Sequence, residues 1–275
     1  MAACAGALAR AKGIAATGRI ANVRSIPYLI RMKLFEHLHL APPRTITEHK
    51  EAGRFIPLTQ IRTSADLKKV ISDLIPLLHA EPTIADPIRY VISELGRNVL
   101  EHADSSIGAF VCAQYFRDQR RIAIGIADSG RGVWASIARS HQADTEAKAI
   151  SLALTSGISG ATLRIGGNET NAGAGLFFVR SIAKTSKNFF AIYSGSTIYK
   201  LLRKQAEPSL LYGDPTYESH SMVTDLPEWK GTVIGIDISV DARHEFPALL
   251  DLIRKSYTID VRKRKKAYYK RIQFE

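Results

Sequence analysis

The sequence has only two cysteines, Cys4 and Cys112. That excludes a disulfide framework and any cysteine-based metal spacing, and makes a reducing, cytoplasmic setting the expectation. No run approaches 18 consecutive apolar residues, so no membrane span is expected. There is no internal repeat, which excludes a solenoid. No acidic residue precedes Glu36, whereas Arg10, Lys12, Arg19, Arg24, Arg31 and Lys33 do. An acid-free, Arg-dotted start also fits a mitochondrial transit peptide.

What is present is enough for one substantial core: 275 residues, 45% of them hydrophobic. The net charge of +12 gathers at the ends. A second basic block, Arg262-Lys263-Arg264-Lys265-Lys266 with Lys270-Arg271, closes the chain, and the middle is nearly balanced. This pattern divides the chain into a basic segment 1–54, partly helical or disordered, a domain 55–240, and a C-terminal helix with a basic tail, 241–275.

Periodicity predicts the elements. A helix is expected over 26–40, stopped by Ala41-Pro42-Pro43. Residues 55–61 read as an edge strand, since Pro57 cannot donate to a ladder. Ser64 caps a helix to His79, and Asp86-Pro87 starts the next. A hairpin over 107–127 follows, then short helices at 134–140 and 144–156 and a glycine-rich loop over 157–168. Strands are expected at 189–193, 197–202 and 231–238, with a polar excursion from 204 to 230 and a closing helix at 246–257.

Three stretches carry chemistry. On the helix through Val91–His102, Glu94, Asn98 and His102 form an i, i+4, i+8 stripe beside the apolar face, where each needs a partner. The strand ending in Asp128 runs into Gly130 and Gly132. The mobile-looking loop ends in Gly173-Ala174-Gly175-Leu176 at a helix start. A carboxylate at a strand end can accept from the exocyclic amine of adenine. Glycines let the backbone approach base and sugar, and let N–H groups at a helix N-terminus face phosphates. An Asn oxygen suits Mg²⁺, which keeps waters and phosphate oxygens as its other ligands. A nearby Glu can act as base toward an attacking hydroxyl.

In order and spacing, Glu94-x-x-x-Asn98, Asp128-x-Gly130-x-Gly132, Gly173-x-Gly175-Leu176 and Gly231-Thr232 resemble the N box, the G1 and G2 boxes and the final Gly-Thr strand of the GHKL family (gyrase, a heat-shock chaperone, histidine kinases and MutL). The resemblance covers about residues 55–240. It implies an α+β fold of the Bergerat type: a two-layer α/β sandwich with a mixed, mostly antiparallel sheet and helices on one face. It implies ATP and Mg²⁺ as cofactors, with Asn98 at the metal, Thr232 near the adenine-binding Asp128, and Glu94 as base. One departure is Phe177, where the G2 box often has another glycine.

Too few residues follow the last strand for the second domain of gyrase-like or MutL-like enzymes. No histidine sits in a phospho-acceptor context. The Glu94/Asn98 pair is most similar to the anti-sigma-factor serine kinases, which implies a STAS-like protein partner and phosphotransfer to a hydroxyl, or slow ATP hydrolysis. The alternative is a non-catalytic ATP-dependent switch. The basic tail could contact nucleic acid, or dock on a partner or on a second copy in a homodimer.

Overall fold

The computed structural model describes residues 1–15, 17, 25–43, 46, 55–78, 82–166, 173–204, 207, 210–239 and 246–272, and for 74–78, 82–84 and 269–272 the backbone alone. Residues 167–172 of the expected glycine-rich loop, and His49 and His79, lie outside the described residues.

Seven strands form one sheet: β1 (Phe55–Ile61), β2 (Ala109–Phe116), β3 (Arg121–Asp128), β4 (Phe190–Gly195), β5 (Thr197–Leu201), β6 (His220–Val223) and β7 (Trp229–Ser239), in the order β1-β2-β3-β7-β4-β5-β6. Every pairing is antiparallel. The expected mixed sheet is therefore corrected. β3 and β4 run in the same direction, and they would be parallel neighbours if they touched. The last strand, β7, inserts between them and runs against both. Its alternation makes that insertion favourable: Ile234, Ile236 and Ile238 face Ile126, Ile124 and Ile122 across the ladder, all buried on one face.

That face is covered by α4 (Ser64–Leu78), α5 (Pro82–Asn98) and α8 (Gly175–Thr185), with α6 (Gly132–Ile137) and α7 (Glu146–Ala153) at one end. The stripe of α5 is as expected: Ile88, Val91, Ile92, Leu95 and Val99 join the core. Its ends are not. The helix begins at Pro82 and carries Pro87 inside, and past Asn98 it widens into a π turn over Val99–Ala103.

Three further expectations are corrected. The helix over 26–40 is two short helices, α2 (Ile26–Arg31) and α3 (Leu34–Leu38), broken at Lys33 with φ 57°. Within the segment 1–54, expected to be partly helical or disordered, α1 (Ala2–Ala11) is a helix packed on the sheet. Its small Ala3, Cys4 and Ala7 sit against Ile107, Phe110 and Ala127, on the second face of the sheet. Helices therefore lie on both faces, with this patch covering the second among the described residues. The closing helix does not stop at 257: α9 (Phe246–Ile272) runs through the basic block.

The excursion over 204–230 supplies β6 and a buried carboxylate. Glu218 lies 3.5 Å from Arg180 Nε and 3.4 Å from Lys184 Nζ, and all three side chains are buried. Lys184 is thus committed to Glu218 and the Leu210 carbonyl. Phe177 is buried against Tyr257 of α9, ring centroids 5.9 Å apart. A glycine there would leave α9 without that contact. Among the described residues, no helix is long and apolar enough to cross a membrane.

The docking of α1 has a chemical readout. Cys4 is fully buried and its Sγ–H donates to the Ala127 carbonyl; burial pushes its thiol up to about 11. The thiolate fraction at pH 8 then falls about 100-fold below that of an ordinary cysteine. Iodoacetamide followed by peptide mass spectrometry should leave Cys4 unmodified in the native protein and label it in urea. Native labelling at the rate of a free thiol would show that α1 does not dock.

Candidate functional site

The end of β3, the π turn, α6 and the start of α8 enclose one cleft of about 130 Å³. That is roughly ten times the room one water needs. Asn98, His102, Asp128, Gly132, Gly173, Gly175, Leu176 and Thr232 line it together with apolar Leu95, Ile126, Val133 and Ile234. Seven of the nine residues singled out from the sequence therefore meet on one wall or another. The two that do not line it stand directly behind or beside it.

Gly130 is one of them. Its N–H donates to Asp128 Oδ1 at 2.7 Å, folding the loop back on the strand end. A side chain at 130 would collide with the Ala103 carbonyl, and the Arg131 N–H donates to that same carbonyl at 2.7 Å. The Ala103 carbonyl ends the π turn, has no partner within the helix, and is satisfied by this loop. Gly132, at φ 77°, lies against Ser194 Oγ and Gly231. Gly231, at φ 126°, passes so close to the Asp128 backbone that no Cβ fits. These glycines are steric requirements of three chain segments crossing at the strand end.

Glu94 is the other. Its Oε2 lies 2.7 Å from where a Cβ on Gly175 would stand, and the Asn98 amide is within 4 Å of the same point. Gly175 therefore lets α8 begin against this pair. Glu94 also accepts from Arg97, one turn along. Burial raises the Glu94 pKa above the usual carboxylate range, and the Arg97 guanidinium opposes that rise. Asn98 Nδ2 is buried and makes no hydrogen bond to the protein. A buried amide without a partner is a group that a ligand can satisfy.

Asp128 is the most perturbed carboxylate of the cleft. It is 2% exposed, and burial pushes it up to about 6, against the opposing N–H donors of Gly130 and Thr232. No salt bridge to it is formed among the described residues. A carboxylate held by two backbone donors in an apolar pocket has its remaining acceptor capacity directed into the cleft.

The cleft also uses residues that the sequence motifs did not indicate. Ser194 Oγ accepts from the Val133 N–H and donates to the Gly231 carbonyl, at 2.9 and 2.7 Å, tying α6 to β7. It sits in a hairpin with no local mark of function. His102, Ser136 and Ser159 also line the wall. Of these only His102 had a signal, its i+8 spacing from Glu94. Among the described residues, no group of three or more His, Cys, Asp or Glu could hold a metal ion by itself.

The chain matches no family model, and no curated protein matches it.

The Asp128 environment sets a pH dependence. Its folded-state pKa is raised from 3.8 to about 6, so the folded protein binds the proton more tightly than the unfolded chain. Stability is full below the unfolded value and is lost as pH rises to about 6. Asp128→Asn removes the buried charge while its amide oxygen can still accept from the Gly130 N–H. It should stabilise the protein at pH 7 by on the order of 1–3 kcal/mol, and by little at pH 4. Urea unfolding at the two pH values measures this. A variant less stable than wild type at pH 7 would show that the carboxylate is not strained by burial.

Proposed function

We propose that the cleft binds Mg-ATP in the manner of the GHKL family, and that Glu94 serves phosphoryl transfer from it. The observation that carries the reading is the pairing of two incomplete polar groups in one cleft. A cation-free buried carboxylate, Asp128, stands at one end, and the unpartnered amide of Asn98 stands beside the start of α8 at the other. Asp128 would accept from the exocyclic amine of adenine, with Thr232 beside it. The free N–H groups at the start of α8, opened by Gly173 and Gly175, would face the phosphates. Asn98 would supply Oδ1 to Mg²⁺, the remaining ligands being phosphate oxygens and water, and its unpartnered Nδ2 would donate to a phosphate oxygen. The absence of a protein-only metal cage among the described residues is compatible with such a shared site. Bound there, the ion would neutralise charge on the transferring phosphoryl group.

Glu94 would take the proton of a water, or of a partner's serine or threonine hydroxyl. That oxygen bonds to the γ-phosphorus as the bond to the departing ADP oxygen breaks. A carboxylate raised by burial is a better base at neutral pH than an exposed one. Its pairing with Arg97 favours a second reading, in which Glu94 stays engaged and the nucleotide acts only as a conformational switch. The family resemblance implies a STAS-like protein as the partner in either case.

Calorimetry with Mg-ATP tests the binding. Asp128→Asn should weaken affinity about 10- to 100-fold, the worth of a hydrogen bond to a charged group. Asn98→Ala should weaken binding with Mg²⁺ more than without it. Unchanged affinity in Asp128→Asn would remove the assignment. With labelled ATP, Glu94→Ala should slow turnover about 10²–10⁴-fold. Binding without turnover in wild type, alone and with partners, would leave the switch.

A further inference from the structure

The basic block at the end of the chain is part of a rigid helix with two distinct faces. On α9, Phe246, Ile253 and Val261 are buried, and the Tyr257 ring packs at a tilt against Phe177 and Phe178. They form one stripe toward the domain. The stripe is pinned at its far end. Ser156 donates to Asp260, Arg264 Nε donates to the same carboxylate at 3.1 Å, and Val261 fits against Gly157 and Gly166. Beyond Val261 no described residue of α9 is buried.

Arg262, Lys263 and Lys266 are exposed. At about 100° per residue they fall within an arc of roughly 100° that points away from the stripe. Lys270 falls on the same arc by position. The spacing from 262 to 270 is about 12 Å along the axis. The block 262–271 holds seven basic residues and no acidic one.

We propose that this outward face of α9 is a docking surface for double-stranded DNA. A polyanion complements this face: it carries cations, and no ion pair to Arg262, Lys263 or Lys266 is formed among the described residues. Lipid is disfavoured: an interfacial helix needs an apolar stripe to bury, and the block has none apart from its tyrosines. A single strand is disfavoured because it needs several aromatic platforms, and Tyr268 is the one exposed aromatic described in the block. An RNA duplex is disfavoured because its major groove is too narrow for a helix. A helix about 10–12 Å across fits the B-form major groove, about 12 Å wide. The cations are then carried to the phosphates on a scaffold already ordered by the domain, without the folding cost of a disordered tail.

Fluorescence anisotropy of the full chain with a labelled random duplex of roughly 20 base pairs, two helical turns, tests the proposal. Affinity should fall steeply between about 50 and 200 mM salt. Arg262→Ala/Lys263→Ala/Lys266→Ala should flatten the log–log salt slope by about 2–3 and weaken low-salt binding at least tenfold. Lys68→Ala/Lys69→Ala, exposed on α4, removes similar charge elsewhere and should leave binding nearly unchanged. Circular dichroism checks that α9 persists. If the triple variant loses helix, Lys266→Ala alone, with a slope change of about one, carries the same comparison. No duplex binding at low salt, equal loss from the α4 pair, or tighter binding to single strands, RNA duplex or phosphatidylserine vesicles would each overturn the proposal.

Discussion

A carboxylate buried without a cation is the constraint from which the site is built. Asp128 ends a central strand inside an apolar wall, and among the described residues only backbone N–H groups answer it. Bringing them there demands that three segments cross within van der Waals contact. Gly130, Gly132 and Gly231 make that crossing sterically possible. The π turn after Asn98 supplies the Ala103 carbonyl that receives the Arg131 N–H and fixes the loop. Ser194 and the indole of Trp229, whose Nε1–H donates to the Asp128 carbonyl, close the far side. Asn98 Nδ2, left without a hydrogen bond to the protein, lines the same cleft.

The second rigid part is α8. Its first residue lies against Glu94 and Asn98, and its body is held from two directions. Phe177 and Phe178 pack at a tilt against Tyr257, and Arg180 and Lys184 meet Glu218 in the interior. A buried group of two cations and one anion is costly to desolvate and offers little net stability. What it does supply is position: α8 can neither slide nor turn without separating charges in a low dielectric. The α8 start is therefore presented to the cleft in one orientation. Because α9 touches both Phe177 and the 156–166 segment, that orientation and the cleft wall share a common brace.

Much of the architecture was legible where the information was local. The alternation of Ile122, Ile124 and Ile126 marks a strand buried on one face. The 3.6-residue spacing of Ile88, Val91, Ile92 and Leu95 marks the core helix. Asp128-x-Gly130-x-Gly132 is legible for a related reason, since glycine at fixed offsets from a polar residue announces a close chain crossing before any crossing is seen. The misreadings have a common origin as well. Alanine-rich α1 looks weak on propensity and composition, yet its small side chains are what let it approach Phe110 and Ala127 closely. Glu218 looks like one more solvated acid in a polar stretch, until Arg180 and Lys184 arrive from a helix far away in sequence.

The sequence by itself determined most of the helices and strands of the 55–240 domain, the glycine positions at the strand end, and that Glu94, Asn98 and Asp128 stand where each needs a partner. Those properties depend on neighbours a few residues away, and short-range sterics and periodicity encode them. Only the tertiary structure decided that β7 inserts between β3 and β4 to make the whole sheet antiparallel. It alone decided that α5 ends in a π turn, that Ser194 bridges α6 to β7, and that the basic block is a braced helix with one outward face. Each of these depends on contacts between residues far apart in the chain. Their energies arise from burial and from satisfying backbone groups once the layers have met, so no local pattern records them.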